Sequence, residues 1–371
     1  MTEIQTDPAP SAPSPSTPSP RGLYQRWQAI LSVDGPKRIR AAADALGVSE
    51  FELRVSAIGE AEDDARVTRL QGPWRELIAR LPELGEVMAL TRNPSAVHEK
   101  IGRYADIRFH GDIGLVLNHD IDLRLFMSSW SHAVAVFEPS RAGGFHRSLQ
   151  FFDAAGTAVH KIYLREDSDR PAYDALVADY RAPEEAQISR ADLEPRPDPV
   201  VETPDDQIDA TGFQDGWRGL NDTHDFFPML RRFGVTRIQA LRLAPEGFAR
   251  RVGLNSIVEL LERASATHSP IMVFVGNRGC IQIHSGPVER VVPTGPWINV
   301  LDPGFNLHLR VDEVAAAWVV RKPTEDGIVS SLELFDAGGE TIAMLFGERK
   351  PGQAEREDWR DRLGELADLE T

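Results

Sequence analysis

Cysteine is nearly absent: Cys280 is the sole one in 371 residues. A single thiol cannot form an intrachain disulfide, and it cannot build a cysteine-based zinc or iron–sulfur site. Positive charge is also scarce. Against 41 Lys and Arg stand 57 Asp and Glu, a formal net charge of -16. A general duplex-DNA or anionic-membrane surface needs clustered positive charge, so neither partner is expected. No apolar run approaches the roughly 20 residues of a membrane span. The N-terminus has no basic stretch followed by an apolar one, so no secretory signal is visible. Signature motifs are missing too: there is no GxGxxG after a strand, no P-loop, no GxSxG and no HExxH. These absences predict a protein of a reducing, cytoplasmic compartment that is not a membrane protein.

What is present is an ordinary globular composition, 42% hydrophobic and 26% charged. Residues 1–20 are dominated by Pro, Ser, Thr and Ala, which bury too little apolar surface to offset the entropy of ordering; a disordered tail is predicted. Residues 182–209 carry Pro183, Pro195, Pro197, Pro199 and Pro204 among many acids, and read as an extended acidic linker. The remainder falls into two halves, 21–181 and 210–371.

The halves resemble each other. Val87-Met88-Ala89-Leu90-Thr91-Arg92-Asn93 lies beside Ile271-Met272-Val273-Phe274-Val275-Gly276-Asn277, with Asn93 and Asn277 184 residues apart. The same offset pairs Gly102 with Gly286, Gly111 with Gly295, and Asp122-Leu123-Arg124-Leu125 with Asn306-Leu307-His308-Leu309. Ser148 to Asp153 matches Ser331 to Asp336 at an offset of 183. A nearly constant register over about sixty residues indicates internal duplication. Each half starts with helical periodicity, at about Leu23 to Leu46 and Phe213 to Phe233. Short strands then follow, and Asp153 to Gly156 and Asp336 to Gly339 read as hairpin turns. Helices segregated from runs of hairpin strands predict an α+β fold rather than alternating βαβ units.

Histidines and arginines inside apolar patterns are the chemical candidates. Phe213, Trp217, Leu220, His224 and Phe227 are spaced 4, 3, 4 and 3, which predicts one helical face with His224 between aromatics and a kink or end at Pro228. Such a histidine is either a hydrogen-bonded core residue or an imidazole presented to an apolar cavity, as an axial haem ligand would be. Alternation puts Leu123 and Leu125 on one face of a strand and Asp122, Arg124 and Phe126 on the other. Arg124 then either pairs with Asp122 or faces an anionic or oxygen-bearing ligand. Arg349 and Lys350 follow the apolar run Ile342 to Phe346 and are solvated or hold carboxylates. His98, His110 and His119 fit no compact metal motif, and loop or surface positions are the simpler expectation. Cys280 sits in an apolar stretch and reads as a buried inert thiol.

The chain closely resembles the bacterial hemin-degrading or hemin-transport family, the HemS-like cytoplasmic haem proteins. The resemblance rests on Leu90-Thr91-Arg92-Asn93, Leu123-Arg124-Leu125-Phe126, Ser148 to Asp153 and Asp222-Thr223-His224-Asp225-Phe226-Phe227. Ile271 to Gly279, Trp297-Ile298-Asn299-Val300, Arg321-Lys322-Pro323-Thr324 and Ser331 to Phe335 extend it through half two. It covers about Tyr24 to Leu366, in order. The resemblance implies two tandem α+β repeats with stacked antiparallel sheets and haem, as substrate or cargo, in a cleft between the halves. It places His224 at the iron-ligand position and Arg124 on the distal side, where it would act in catalysis. Arg349 and Lys322 would line the pocket, and His98 would be a secondary haem contact. Phe346 stands where the family often has tyrosine. The implied function is oxidative ring opening of imported haem with an external electron donor. Its alternative is a haem chaperone, and the implied partners are a haem-import ABC transporter or a separate haem oxygenase.

Overall fold

The computed structural model describes residues 20–32, 38–60, 65–139, 143–183, 193–349 and 352–369. The predicted tail up to residue 19, linker residues 184–192 and Lys350 lie outside the described residues.

Two nine-stranded antiparallel sheets form the body. The first runs β1 (Arg66–Leu70), β7 (His132–Pro139), β8 (Phe145–Phe152), β9 (Ala158–Leu164), β2 (Glu86–Arg92), β3 (Ala96–Arg103), β15 (Phe305–Arg310), β14 (Trp297–Asp302) and β13 (Val291–Thr294). The second runs β10 (Ala249–Val252), β16 (Ala316–Thr324), β17 (Gly327–Phe335), β18 (Thr341–Gly347), β11 (Ile271–Gly276), β12 (Cys280–Gly286), β6 (Asp122–Phe126), β5 (Ile113–Leu117) and β4 (Ile107–His110). Each sheet is thus six strands of one half completed by three of the other. The seams are β3 against β15, with His98 opposite Leu307, and β12 against β6, with Ile281 opposite Arg124.

The strands are amphipathic in the simplest sense. Alternate residues of β11 (Ile271, Val273, Val275) and of β15 (Phe305, Leu307, Leu309) are fully buried and share one core between the sheets. Burying each such side chain is worth about 1.5–3 kcal/mol, so register is strongly specified. The two halves are also tied by a reciprocal pair. Asn93 caps its own turn by accepting from the Ser95 and Ala96 amides, and its Nδ2 donates to the carbonyls of Gly276 and Ile342. Asn277, 184 residues on, accepts from Gly279 and Cys280 and donates to Arg92 and Val159. Gly279 is required there, because a Cβ would lie 2.5 Å from Val159 Cγ1.

Helices pack on both faces of the sheets: Trp74–Ala79, Arg170–Asp179, Ser256–Thr267 and Glu357–Glu365 add to the cores between the sheets, and the others lie on the outer faces. Half one supplies α1 (Pro20–Ser32), α2 (Ile39–Leu46), α3 (Glu50–Val55), α4 (Trp74–Ala79) and α5 (Arg170–Asp179). Half two supplies α6 (Ala210–Arg218), α7 (Phe226–Phe233), α8 (Arg237–Arg242), α9 (Ser256–Thr267) and α10 (Glu357–Glu365). The fold is α+β as expected, and both predicted hairpin turns join their strands, β8 to β9 and β17 to β18. The helical stretches expected over Leu23 to Leu46 and Phe213 to Phe233 each hold two helices, α1 with α2 and α6 with α7, and the second does not end at Pro228 but restarts just before it. No helix among the described residues is long and apolar enough to cross a membrane.

Candidate functional site

The break in the second helical stretch creates the site. α6 buries Phe213 and Trp217, and the Trp217 indole donates to the Arg321 carbonyl at 3.0 Å. The helix then stops at Gly219. Asp222 is extended, with φ -142° and ψ 142°, and its carboxylate accepts from the His224 amide at 2.8 Å. That bond starts a short 3-10 turn, Thr223–Asp225, which leads into α7. Pro228 falls in the first turn of α7, where its missing N–H would be unpaired anyway. Consequently Phe226, Met229 and Leu230 point into the core, while Phe227 is 61% exposed and the His224 side chain 85% exposed. The expected continuous stripe with His224 between buried aromatics is therefore incorrect. Capping by Gly219 and Asp222 overrides the helical spacing and turns the imidazole out to solvent.

The exposed ring is held in place. His224 Nδ1 lies 2.7 Å from Asp222 Oδ1. An ionised carboxylate only accepts, so Nδ1 carries a proton, and in the neutral ring the lone pair is then on Nε2. The Asp222 carboxyl is held below its ordinary range, chiefly by the His224 backbone N–H, with the His224 ring and the nearby Arg349 guanidinium adding to it. Arg349 follows β18 and so stands close to the His224 turn.

Beneath this turn lies the outer face of the second sheet. Cross-strand partners share a face, and the register places Ser331, Phe346 and Met272 together, then Glu333, Met344 and Phe274. It continues through Gly276 and Ile281 to Arg124. Over β16 and β17 this face is covered by α6, α7 and α8, which pack on Val320 and Phe335. Over β18, β11 and β6 it is only half-buried at Met272, Phe274, Met344, Phe346 and Arg124. Phe346 and Phe274 meet edge to face at 5.0 Å. The result is an apolar shelf of two methionines and two phenylalanines on β11 and β18, with Arg349 just past the end of β18, Arg124 two strands beyond β11 on the same face, and the His224 turn against β16. Met272, Phe274 and Met344 were not singled out from sequence. Their signal was available as alternation in β11 and β18 against the buried partners Val273 and Leu345.

The remaining candidates fall in different places. Arg124 points to the outer face, as alternation predicted, and is ion-paired with Asp122 and bonded to the Leu123 carbonyl at 3.2 Å. Lys322 is on the shelf's face but is buried. Its Nζ donates to Glu333 at 2.8 Å and sits 4.6 Å from the Phe226 ring centroid. Arg237 grips the same carboxylate twice, at 2.7 Å each. Burial pushes the Lys322 ammonium down to about 8 against the pull of Glu333. Lys322 thus supports Phe226 from below, and does not line an open pocket. His98 is fully buried between the sheets with its ring against Phe305 at 4.9 Å, and burial, with His284 and Lys100 beside it, lowers its pKa strongly. It has no access to the outer face where His224 stands, so the structure removes it from this site. His110 and His119 are exposed and separate, and no cluster of metal-ligating side chains occurs among the described residues. Cys280 is buried as expected, its thiol pushed up to about 12 by burial.

Comparison with known proteins decides the family. The model for the haemin-degrading HemS.ChuX domain matches twice, over residues 47–180 and 234–366. The chain belongs to the HemS family of haemin-degrading domains. It is 42% identical over 350 residues to the hemin transport protein HemS of Yersinia enterocolitica, covering 93% of this chain and 97% of that one. The holo form of PhuS, a heme-binding protein of Pseudomonas aeruginosa, superposes with a TM-score of 0.89 at 44% identity, over 95% of this chain and 100% of that one. ChuS, an E. coli heme oxygenase, gives 0.82 at 37% identity, over 93% and 99%. One of the two matches falls in each half of the repeat.

Proposed function

We propose that this chain binds one haem on the outer face of the second sheet and opens it oxidatively to release iron. The observation that carries this reading is the capped turn that holds His224 out of the core with Nε2 free, beside an apolar shelf. Haem is a flat apolar disc with two carboxylates and an iron that needs an axial ligand. The shelf of Met272, Phe274, Met344 and Phe346 supplies the apolar contact, His224 Nε2 the ligand, and Arg349 a cation for a propionate. Arg124 supplies a charged donor on the sheet, where oxygen has to be activated. Ring opening consumes dioxygen and electrons, which an external reductant must provide. The functions of HemS, PhuS and ChuS support haem as the substrate or cargo. The finer claim of degradation rests on Arg124.

A carrier reading competes, and the 85% exposure of the His224 side chain favours it, since an open ligand releases its metal easily. Single-turnover decay of the Soret band with an ascorbate-type donor separates the two. We expect decay with release of iron, slowed about 10²–10³-fold in Arg124→Ala while haem stays bound, as when one preorganised donor is removed. A Soret band that persists under every donor, with haem still passing to an apo-acceptor, would leave the carrier reading alone. Loss of haem from Arg124→Ala would instead make that arginine an anchor.

A further inference from the structure

We infer that Asp222 is a positioning residue that sets both the orientation and the basicity of His224, and so the preference of the site for ferric over ferrous haem. This rests on the proposed ligation by His224. One carboxylate oxygen, Oδ1, accepts two bonds from one residue: from the His224 backbone N–H at 2.8 Å and from ring Nδ1 at 2.7 Å. The two bonds together fix the ring relative to its own backbone and leave Nε2 as the available donor. No other side chain hydrogen-bonds this ring among the described residues. Stability does not account for the arrangement. Both side chains are exposed, 85% and 58%, and an exposed pair of this kind contributes about 0–1 kcal/mol. What it does contribute is ligand chemistry. An imidazole whose second nitrogen donates to a carboxylate is a stronger base toward a metal, and such outer partners commonly govern affinity. Ferric haem carries one more positive charge than ferrous haem, so the negative oxygen favours the ferric state.

The test uses full-length chain loaded with hemin. Asp222→Asn keeps an oxygen that can accept both bonds and removes the charge. We expect ferric haem affinity to fall about tenfold, within the range seen for outer-shell partners, with ferrous affinity little changed. A tenfold change in that ratio for one electron is about 59 mV, read as a rise in midpoint potential by spectroelectrochemistry. The iron–histidine stretch of the ferrous protein should fall in frequency. Asp222→Ser retains a capping oxygen for the His224 amide without charge, and must shift the potential in the same direction. If both variants bind haem with unchanged potential and stretch, Asp222 is a helix cap only and the inference fails. The ligand assignment itself is checked separately by His224→Ala: an unaltered spectrum there overturns the ligation and not merely the role of Asp222.

Discussion

Met272 and Phe346 are cross-strand partners on the second sheet, and Met88 and Tyr163 make the same pair on the first. Around these matching pairs the two halves diverge. Met344 corresponds to Lys161, Gly276 to Arg92 and Ile283 to Glu99 at the offsets of the repeat. The helices diverge with them. α3 and α8 follow equivalent turns, with Gly47 and Gly234 in the left-handed conformation before the capping residues Ser49 and Thr236. In α3 the first residue is Glu50, bonded to Lys161 at 2.7 Å and ion-paired with Arg92. In α8 it is Arg237, bonded to Glu333. The sign of the buried ion cluster is reversed, and so is its place. Glu50 clamps its helix over β9 and β2, in the middle of the first sheet. Arg237 reaches β17, nearer the edge of the second sheet, and leaves β18 and β11 open. A duplicated fold has thus set an ion cluster on one outer face and apolar residues at the matching positions of the other. Burial alone would raise the Glu50 carboxyl, but Lys161 and Arg92 outweigh it and hold it at about 2.

The largest expected effect comes from breaking the two clusters. Glu50→Ala and Glu333→Ala each strand two buried or half-buried cations, and each should cost about 3–5 kcal/mol in urea unfolding. The comparison is sharpened by haem titration of whatever folded protein remains. Only Glu333→Ala should weaken binding further, because Lys322 and Phe226 beneath the His224 turn depend on it. Equal effects of the two variants on haem would erase the distinction between the faces.

A smaller effect is expected from making one face resemble the other. Met344→Lys copies Lys161 onto the open shelf beside Glu333, whose carboxylate Arg237 and Lys322 already hold, and should weaken haem binding about 10–100-fold through the cost of covering a charge. Leu90→Lys, on the first sheet, should leave haem affinity unchanged. Isothermal or optical titration reads both.

The inner faces respond to pH, and here the halves act together. His160 and His284 are buried and neutral, their pKa values lowered by burial to about 3 in each case. The unfolded chain binds more protons than the folded one between about 3 and the ordinary 6.5 of histidine. Stability is therefore full above pH 6.5 and declines as pH falls. Linkage sets the loss at up to about 2 kcal/mol per histidine by pH 5. Denaturant titrations at pH 7.5 and 5.0 should show this slope, and His160→Gln should flatten it. His160 accepts or donates to Thr91 at 2.8 Å and to Tyr104 at 2.6 Å, so glutamine can retain part of that network.

The duplication was legible because Asn93 and Asn277 hold one register and each does the same job, capping a turn and reaching across to the other half. The exchange of three-stranded arms was not legible. It depends on the pairing of β3 with β15 and of β6 with β12, and nothing local in Leu123-Arg124-Leu125 says which strand lies beside it. Arg124 was placed on the correct face by alternation alone. His224 was singled out by the apolar spacing, and its place as iron ligand came from the family resemblance. The helical spacing around it supplied a wrong environment, because a sum over apolar positions ignores a glycine stop and an aspartate cap. Lys322 shows the same limit: a basic residue in a strand gives no sign of the buried Glu333 that claims it.

The most direct measurement is a hemin titration of the full chain, followed by its absorption and magnetic circular dichroism spectra, beside His224→Ala. The asymmetry of the two faces predicts a single equivalent of haem with one histidine ligand. In His224→Ala it predicts a loss of affinity of about 100-fold and a changed Soret band, consistent with removal of the axial ligand. Two equivalents in the wild type, or one equivalent with an unchanged spectrum in the variant, would contradict it.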